Sequence, residues 1–293
     1  LNGRAEHEPV LLDEALALLE VRSGGIYVDA TFGAGGHSRA IAARGGRVLA
    51  LDIDPFVRLE PGDELCVELA HANFGDLAAV LDDRGLPTVD GVLFDFGVSS
   101  MQFDRPARGF SLQADGPLDM RMNPLSGPSA YDLLVSLDEK ELADIFHTFG
   151  EEKASRRVAR AIVAARENGR LPERTLPFAR LVAGAVRARG YRRIHPATLT
   201  FQALRIAVND ELGAIKQGLE AAIARTRPGG RIVAISFHSL EDRVVKQMFR
   251  NDDRVVALTR KPVVANDVER ARNPRARSAK LRAAERKDQE GSI

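Results

Sequence analysis

The chain has 293 residues, 44% hydrophobic and 28% charged, with a formal net charge of +1. That is enough to bury a substantial core in one large domain or two, with the composition of an ordinary globular protein. No apolar run nears the roughly 18 residues of a membrane span. No secretory leader is expected, and the single cysteine, Cys66, excludes an internal disulfide and a cysteine-based metal site. The expectation is a cytoplasmic protein with no resident metal.

The first predicted strand spans 26–30, followed by the glycine-dense turn Thr31-Phe32-Gly33-Ala34-Gly35-Gly36 and a helix over 37–44. A second strand is expected over 48–52, a third over 66–70 ending near Asn73-Phe74, and a fourth over 91–95. Each is short and apolar on both faces, as buried parallel strands are. Asp29, Asp52 and Asp95 stand at the ends of the first, second and fourth. A tight glycine turn after one strand and a carboxylate after the next is how a doubly wound, Rossmann-like α/β domain holds an adenosine-bearing cofactor.

The turn also bears on which cofactor. A dinucleotide fingerprint would place its third glycine where this chain has Ser38. Asp29 and Thr31 put a carboxylate and a hydroxyl at the mouth of the turn. A carboxylate there would repel a pyrophosphate but could receive the ammonium or sulfonium of S-adenosylmethionine. A glycine-rich turn that binds nothing is the bland alternative.

About 135 residues separate the fourth strand from the fifth, far more than a simple crossover. Ser99 to Ser129 is rich in Gly, Pro, Asp and Ser and reads as loops. Helices follow. Asp138-x-x-Glu141 resembles a capping box ahead of Leu142, Ile145, Phe146 and Phe149, with Gly150 as the stop. Val158, Ile162 and Ala165 form an apolar stripe ringed by Arg156, Arg157, Arg160 and Arg166, and a third helix is expected over 177–189. Phe201, Leu204, Val208, Leu212, Ile215, Leu219 and Ile223 recur at helical spacing, predicting one long helix back to the sheet. Pro228-Gly229-Gly230 reads as a turn feeding a fifth strand over 231–236, with weaker candidates at 255–258 and 279–283. The expected organisation is a discontinuous core, 1–104 and 206–293, with a helical insertion over 105–205.

Charge is unevenly distributed. Residues 1–150 hold 11 Lys/Arg against 25 Asp/Glu, whereas 151–205 hold 13 against 4 and 270–293 hold 8 against 3. A basic insertion and a basic tail on an acidic core point to a polyanionic partner, against the plainer reading of arginines on solvated helix faces.

Ordered motifs from residue 7 to 286 give the chain a family resemblance. They are His7-Glu8-Pro9-Val10-Leu11, the Asp29 to Ser38 turn, Asp95-Phe96-Gly97-Val98-Ser99-Ser100, Gly116-Pro117-Leu118-Asp119-Met120-Arg121-Met122 and His195-Pro196-Ala197-Thr198 with Thr200-Phe201-Gln202-Ala203. Ile235-Ser236-Phe237-His238-Ser239-Leu240-Glu241-Asp242-Arg243 and Asn273-Pro274-Arg275-Ala276-Arg277-Ser278 complete the set. The chain resembles the bacterial MraW/RsmH-type methyltransferases, which methylate N4 of a cytidine in the decoding region of small-subunit (16S) ribosomal RNA. Phe103 stands where the family often has Leu.

The resemblance implies S-adenosylmethionine as cofactor, 16S ribosomal RNA within the small subunit as partner, and neither DNA nor membrane. It places Gly35, Gly36 and His37 along the cofactor turn, Asp52 on the ribose hydroxyls, Phe74 against the adenine, and Asp95 and Gln102 on the methionine side. Asp95 and His238 are the catalytic candidates, each with a plain alternative as the cap of a βα turn. Arg187, Arg189, Arg192, Arg193 and His195 are candidates to hold RNA. Two other classes compete: a nicotinamide-dependent oxidoreductase, which Ser38 opposes, and a non-catalytic RNA-binding module.

Overall fold

The computed structural model describes residues 8–186 and 194–288. By contacts the chain forms two compact units, one made of residues up to Gly97 together with those from Leu212 onward, the other of Val98–Glu211.

The first unit opens with α1 (Leu12–Leu19), then β1 (Ile26–Asp29), α2 (Gly36–Ala42), β2 (Arg47–Asp52), β3 (Val67–His71), α3 (Leu77–Asp82) and β4 (Val89–Asp95). β1 pairs in parallel with β2 on one side and β4 on the other, and β2 pairs in parallel with β3. Tyr27, Val28, Leu49, Ala50, Leu51, Val92, Leu93 and Phe94 are buried, which explains why these strands read as unbroken apolar runs.

The second unit holds α4 (Ser100–Phe103), α5 (Ala130–Ser136), α6 (Glu139–Thr148), α7 (Ser155–Glu167), α8 (Thr175–Val186) and α9 (Thr198–Asn209). The Asp138–Glu141 capping box is present, each side chain bonding the other's backbone N–H, and a second box links Ser129 and Asp132 at the start of α5. Leu142, Phe146, Val158, Ile162, Phe178 and Val182 belong to its core, with Phe178 and Phe201 tilted against each other at 5.7 Å between ring centres. Each such side chain contributes about 1.5–3 kcal/mol by leaving water.

The chain re-enters the first unit along α10 (Glu211–Arg225), then β5 (Thr226–Ser236), α11 (Ser239–Asn251), β6 (Val255–Ala257), α12 (Asp267–Arg272) and β7 (Lys280–Arg286). The sheet order is β3-β2-β1-β4-β5-β7-β6, parallel through β5 and antiparallel at β7 and β6. This is the doubly wound α/β class.

Two sequence expectations need correction. The single helix drawn through 201–223 is two helices, α9 and α10, parted at Asp210, which takes a left-handed φ of 45°. The break is held by side chains: the Arg205 guanidinium grips both Glu211 carboxylate oxygens at 2.7 and 2.9 Å. Asn209 accepts from Met122 N and donates to the Met120 carbonyl. The apolar stripe carries through the kink, so spacing alone did not reveal it.

The second correction concerns Pro228-Gly229-Gly230, which lies inside β5 and not before it. Val89 pairs with Thr226 but Gly91 with Arg231, so the extra residues form a bulge in β5, with Gly229 at φ 71°.

Candidate active site

Because β1, β2, β4 and β5 run parallel, Asp29, Asp52, Asp95 and Ser236 finish at the same edge of the sheet. Strand order reverses between β1 and β4, and crevices at such switch points are where open α/β sheets bind ligands.

Asp52 accepts one backbone hydrogen bond on each carboxylate oxygen. Oδ2 accepts from Gly33 N and Oδ1 from Asp54 N, both at 2.8 Å. Each oxygen keeps acceptor capacity, which suits a pair of vicinal hydroxyls. Burial raises the group to about 6, its two backbone hydrogen bonds opposing. The Gly33–Asp52 bond also ties the glycine turn to the end of β2.

Gly35 sits at φ 78°, and a Cβ there would meet the Phe32 ring at 2.7 Å. A Cβ on Gly36 would strike the Pro9 ring. The turn therefore requires glycine at both positions, one for conformation and one for close approach.

His37 is buried at the start of α2. Its Nε2 lies 3.2 Å from the Val10 carbonyl, to which it donates, leaving Nδ1 facing Asp95 Oδ2 at 3.9 Å. Asp95 N donates to Thr31 Oγ1 at 2.6 Å, fixing the carboxylate at the end of β4. The Asp95 side chain keeps 21% of its surface open, yet Oδ1 is enclosed and has no hydrogen-bond partner among the described residues. Burial raises Asp95 to about 6, against the lowering pull of His37 and then Arg275.

Asp29 and Thr31 differ from expectation. Asp29 is fully buried and turned onto its own loop, accepting from Ser38 Oγ at 2.6 Å and Thr31 N at 3.2 Å. Desolvation raises its carboxyl, with His37 and Ser38 pulling it down. It braces the turn and does not stand at its mouth. Ser38 is thereby a bracing residue that the fingerprint comparison registered only as a missing glycine.

Phe74 follows β3 on a short turn capped by Asn73, whose Oδ1 accepts from Gly75 N at 2.8 Å. It is half-buried, packed edge-on to Phe94 at 5.9 Å and tilted against Phe96 at 5.6 Å. It serves as core on one side and keeps part of its surface open.

His238 is the N-cap of α11. Its Nδ1 accepts from Glu241 N at 3.4 Å, and its Nε2 lies 3.0 Å from Glu241 Oε1. Glu241, fully buried, accepts from Phe237 N and His238 N. The capping alternative is thus what the structure displays for His238.

Gln102 belongs to the second unit, where it is buried, donates to the Met122 carbonyl at 3.4 Å and accepts from Ser99 N at 3.3 Å. Arg187, Arg189, Arg192 and Arg193 lie outside the described residues. His195 is exposed, its Nδ1 accepting from Ala197 N. With Phe103, Phe110, Phe201, Gln113 and Gln202 it lines a cavity of about 490 Å³ within the second unit.

Much of the insertion's arginine is engaged internally. Arg166 donates to the carbonyls of Leu134, Val135 and Leu137 at the end of α5, Arg157 to that of Val186, and Arg174 pairs with Asp115.

Sequence reading did not foresee what holds the turn from outside. The Glu8 to Leu11 segment lies on Gly36 and His37, and Leu11 N donates to buried Glu269 of α12 at 2.7 Å. Arg272 pairs with Glu8, and Asn273 donates to the Glu8 carbonyl. The motifs at His7–Leu11 and Asn273–Ser278 were visible, but nothing in either names the other, and Glu269 and Arg272 lie in neither.

The residues fit a cation-bearing adenosine cofactor. The unpartnered Asp95 Oδ1, the Asp52 acceptors and the glycine cradle supply negative charge, hydroxyl acceptors and room for close approach.

A model of the MraW methylase family matches residues 4–287. A ribosomal RNA small subunit methyltransferase H of Acidobacterium capsulatum is 50% identical over 301 residues, covering 97% of this chain and 99% of its own. One from Geobacter sulfurreducens is 48% identical over 308 residues, covering 96% and 98%. Among solved structures, an rRNA methylase from Streptococcus thermophilus aligns with a TM-score of 0.39 at 12% identity, covering 94% of this chain and 93% of that one. On the full-length match of sequence and motifs, the chain belongs to the MraW methylase family.

Proposed function

We propose that the protein transfers a methyl group from S-adenosylmethionine to N4 of a cytidine in the decoding region of 16S ribosomal RNA, acting on the small ribosomal subunit in the cytoplasm. The observation that carries this is the Asp95 carboxylate at the end of β4, with one enclosed oxygen unpartnered, within a few ångströms of His37 and on the same sheet edge as Asp52. S-adenosylmethionine supplies an electrophilic methyl on a sulfonium, and transfer is an in-line displacement in which positioning does most of the work.

Asp52 holds the ribose hydroxyls and Phe74 lies against the adenine. Cytosine N4 is a poor nucleophile because its lone pair is delocalised into the ring. Asp95, as carboxylate, accepts an N4–H hydrogen bond, which favours a pyramidal nitrogen and exposes the lone pair. After transfer the nitrogen is strongly acidic, so its proton leaves without a potent base. His37 holds its ring against Val10 and keeps Nδ1 toward Asp95, favouring the charged carboxylate. His238 orients the start of α11 beside this edge.

A base must leave its stack to reach such a site, and RNA offers such bases in loops. The second unit's aromatic cavity and basic stretch support its reading as the RNA-substrate domain, with Arg187, Arg189, Arg192, Arg193 and His195 as contacts.

Incubating the protein with methyl-labelled S-adenosylmethionine and purified small subunits, then mapping the labelled nucleoside, tests the reading. Label on N4-methylcytidine is the expected result. Label on protein, or on no RNA pool, removes the substrate. Unchanged RNA affinity and salt slope in R192A/R193A would remove those arginines from the interface.

A further inference from the structure

The segment from Glu8 to Leu11 takes no direct part in the chemistry above, yet one of its peptide units is held from both sides. The Val10 carbonyl and the Leu11 N–H belong to the same trans peptide plane. The carbonyl accepts from His37 Nε2 at 3.2 Å, and the N–H donates to Glu269 Oε1 at 2.7 Å. The second bond is buried and joins residues 258 positions apart. On the far side of the imidazole, Nδ1 faces Asp95 Oδ2 at 3.9 Å. A carboxylate, a peptide and an imidazole thus stand in series before the carboxylate that ends β4.

Local preference does not put Leu11 there. It takes a left-handed φ of 52°, rare for a residue with a side chain, and stands at the N-cap of α1 without a capping side chain. Glu269 supplies the acceptor instead, and Leu11 is fully buried. Glu269 is itself fixed as the third residue of α12, its N–H donating to Asn266 Oδ1 at 2.9 Å. The Pro9 ring lies against Gly36, so the same segment seats on the glycine turn. Arg272 and Glu8 also join these two stretches, but that pair is exposed on both sides and holds them weakly.

We infer that Glu269 is a positioning residue that acts through the Val10–Leu11 peptide to set the tautomer and orientation of His37 opposite Asp95. The inference rests on the reading above. Hydrogen bonds in series polarise one another, so a carboxylate on the N–H makes the Val10 carbonyl a better acceptor. That fixes the ring proton on Nε2 and leaves the lone pair on Nδ1, the side of Asp95. A neutral ring held in this way has no N–H to give Asp95. Released from Val10, the ring can carry its proton on Nδ1 and donate to Oδ2, taking up the acceptor that the N4 hydrogen bond requires.

The test uses the full chain and the variants E269A, E269D and E269Q. Two-bond proton–nitrogen spectra of the imidazole rings, recorded well above pH ~6.5 and assigned with H37Q, report the His37 tautomer. Wild type should carry the proton on Nε2. In E269A the two tautomers should mix and kcat should fall about tenfold, with the KM for RNA within about twofold. E269Q keeps an acceptor for Leu11 N without the charge, so it should hold the tautomer and lose no more than about threefold in kcat. E269D, one methylene shorter, should move both readouts as E269A does but by less, and serves in its place if E269A does not fold.

A wild-type His37 with its proton on Nδ1 would overturn the inference. So would a shifted tautomer with kcat unchanged. A lowered melting temperature with tautomer and kcat as in wild type would make Glu269 a plain tether of the segment, and overturn the inference too. Wild-type protein that moves no label to RNA overturns the functional reading and this inference together. Wild-type transfer with His37 unaltered in the folded E269A or E269D protein overturns this one alone.

Discussion

His37 Nδ1 faces Asp95 Oδ2 across 3.9 Å while its other nitrogen is held by the Val10 carbonyl. The imidazole is thus oriented by a segment outside the glycine turn, and the carboxylate it faces has an enclosed oxygen without a hydrogen-bond partner among the described residues. That pairing makes Asp95 the most testable residue of the site.

Replacing Asp95 by Asn removes the negative acceptor and keeps the shape. Methyl transfer is expected to fall by about 10²-fold or more, the range for a proton-handling group, with RNA affinity retained. Asp95 must be charged to act and burial raises it to about 6, so wild-type kcat should climb with pH through about 6 and then level. D95N should lack that limb. A pH–rate profile of both proteins decides it; an identical limb in D95N assigns the titration elsewhere.

Asp52 separates binding from stability. Its carboxyl, raised to about 6 from 3.8, binds a proton more tightly in the folded chain than in the unfolded one. Its contribution to stability is therefore full below about 4 and is lost as pH rises through about 6. Asp52→Asn should make the ligand-free fold more stable than wild type above pH ~6, and that gap should close below pH ~4. S-adenosylmethionine affinity should drop about tenfold or more as charge-assisted bonds to the ribose are lost. Thermal melts across pH, with calorimetric titration of the cofactor, check both halves.

Ser38 braces buried Asp29 through the 2.6 Å bond from its hydroxyl. Ser38→Ala leaves a buried carboxylate oxygen without that donor and should cost about 1–3 kcal/mol. The loss should grow as pH rises through the Asp29 titration, because the charged form needs the donor more. Denaturant unfolding at two pH values measures it. A variant as stable as wild type would mean that water replaces the hydroxyl.

Arg166 separates structural arginine from RNA-binding arginine. Its guanidinium caps three carbonyls at the end of α5. Arg166→Met keeps much of the apolar stem and removes those bonds, so the second unit should lose about 1–2 kcal/mol. RNA affinity and its salt slope should stay as they were. A reduced slope would place Arg166 at the interface.

The strand ends were legible because buried parallel strands show as apolar runs, and β1, β2 and β4 each stop at an aspartate. Asp52 was readable on that ground alone, and the paired glycines followed from the turn they must make. Asp138 and Glu141 announced their helix because capping is a local exchange of hydrogen bonds. The kink at Asp210 was not readable, since Phe201 to Ile223 keep their apolar spacing on both sides of it. Only the Arg205–Glu211 and Asn209–Met122 contacts, made by side chains and a distant loop, show where the helix stops.

By itself the sequence determined the fold class, the cofactor edge and the family, because strand periodicity, turn chemistry and local motifs are written in neighbouring residues. Tertiary structure alone decided that Glu8 to Leu11 is fastened to Glu269 and Asn273, and that Arg275 stands over Phe237. Those depend on residues up to 265 positions apart meeting at one sheet edge, and no local preference encodes which carboxylate a distant side chain will reach.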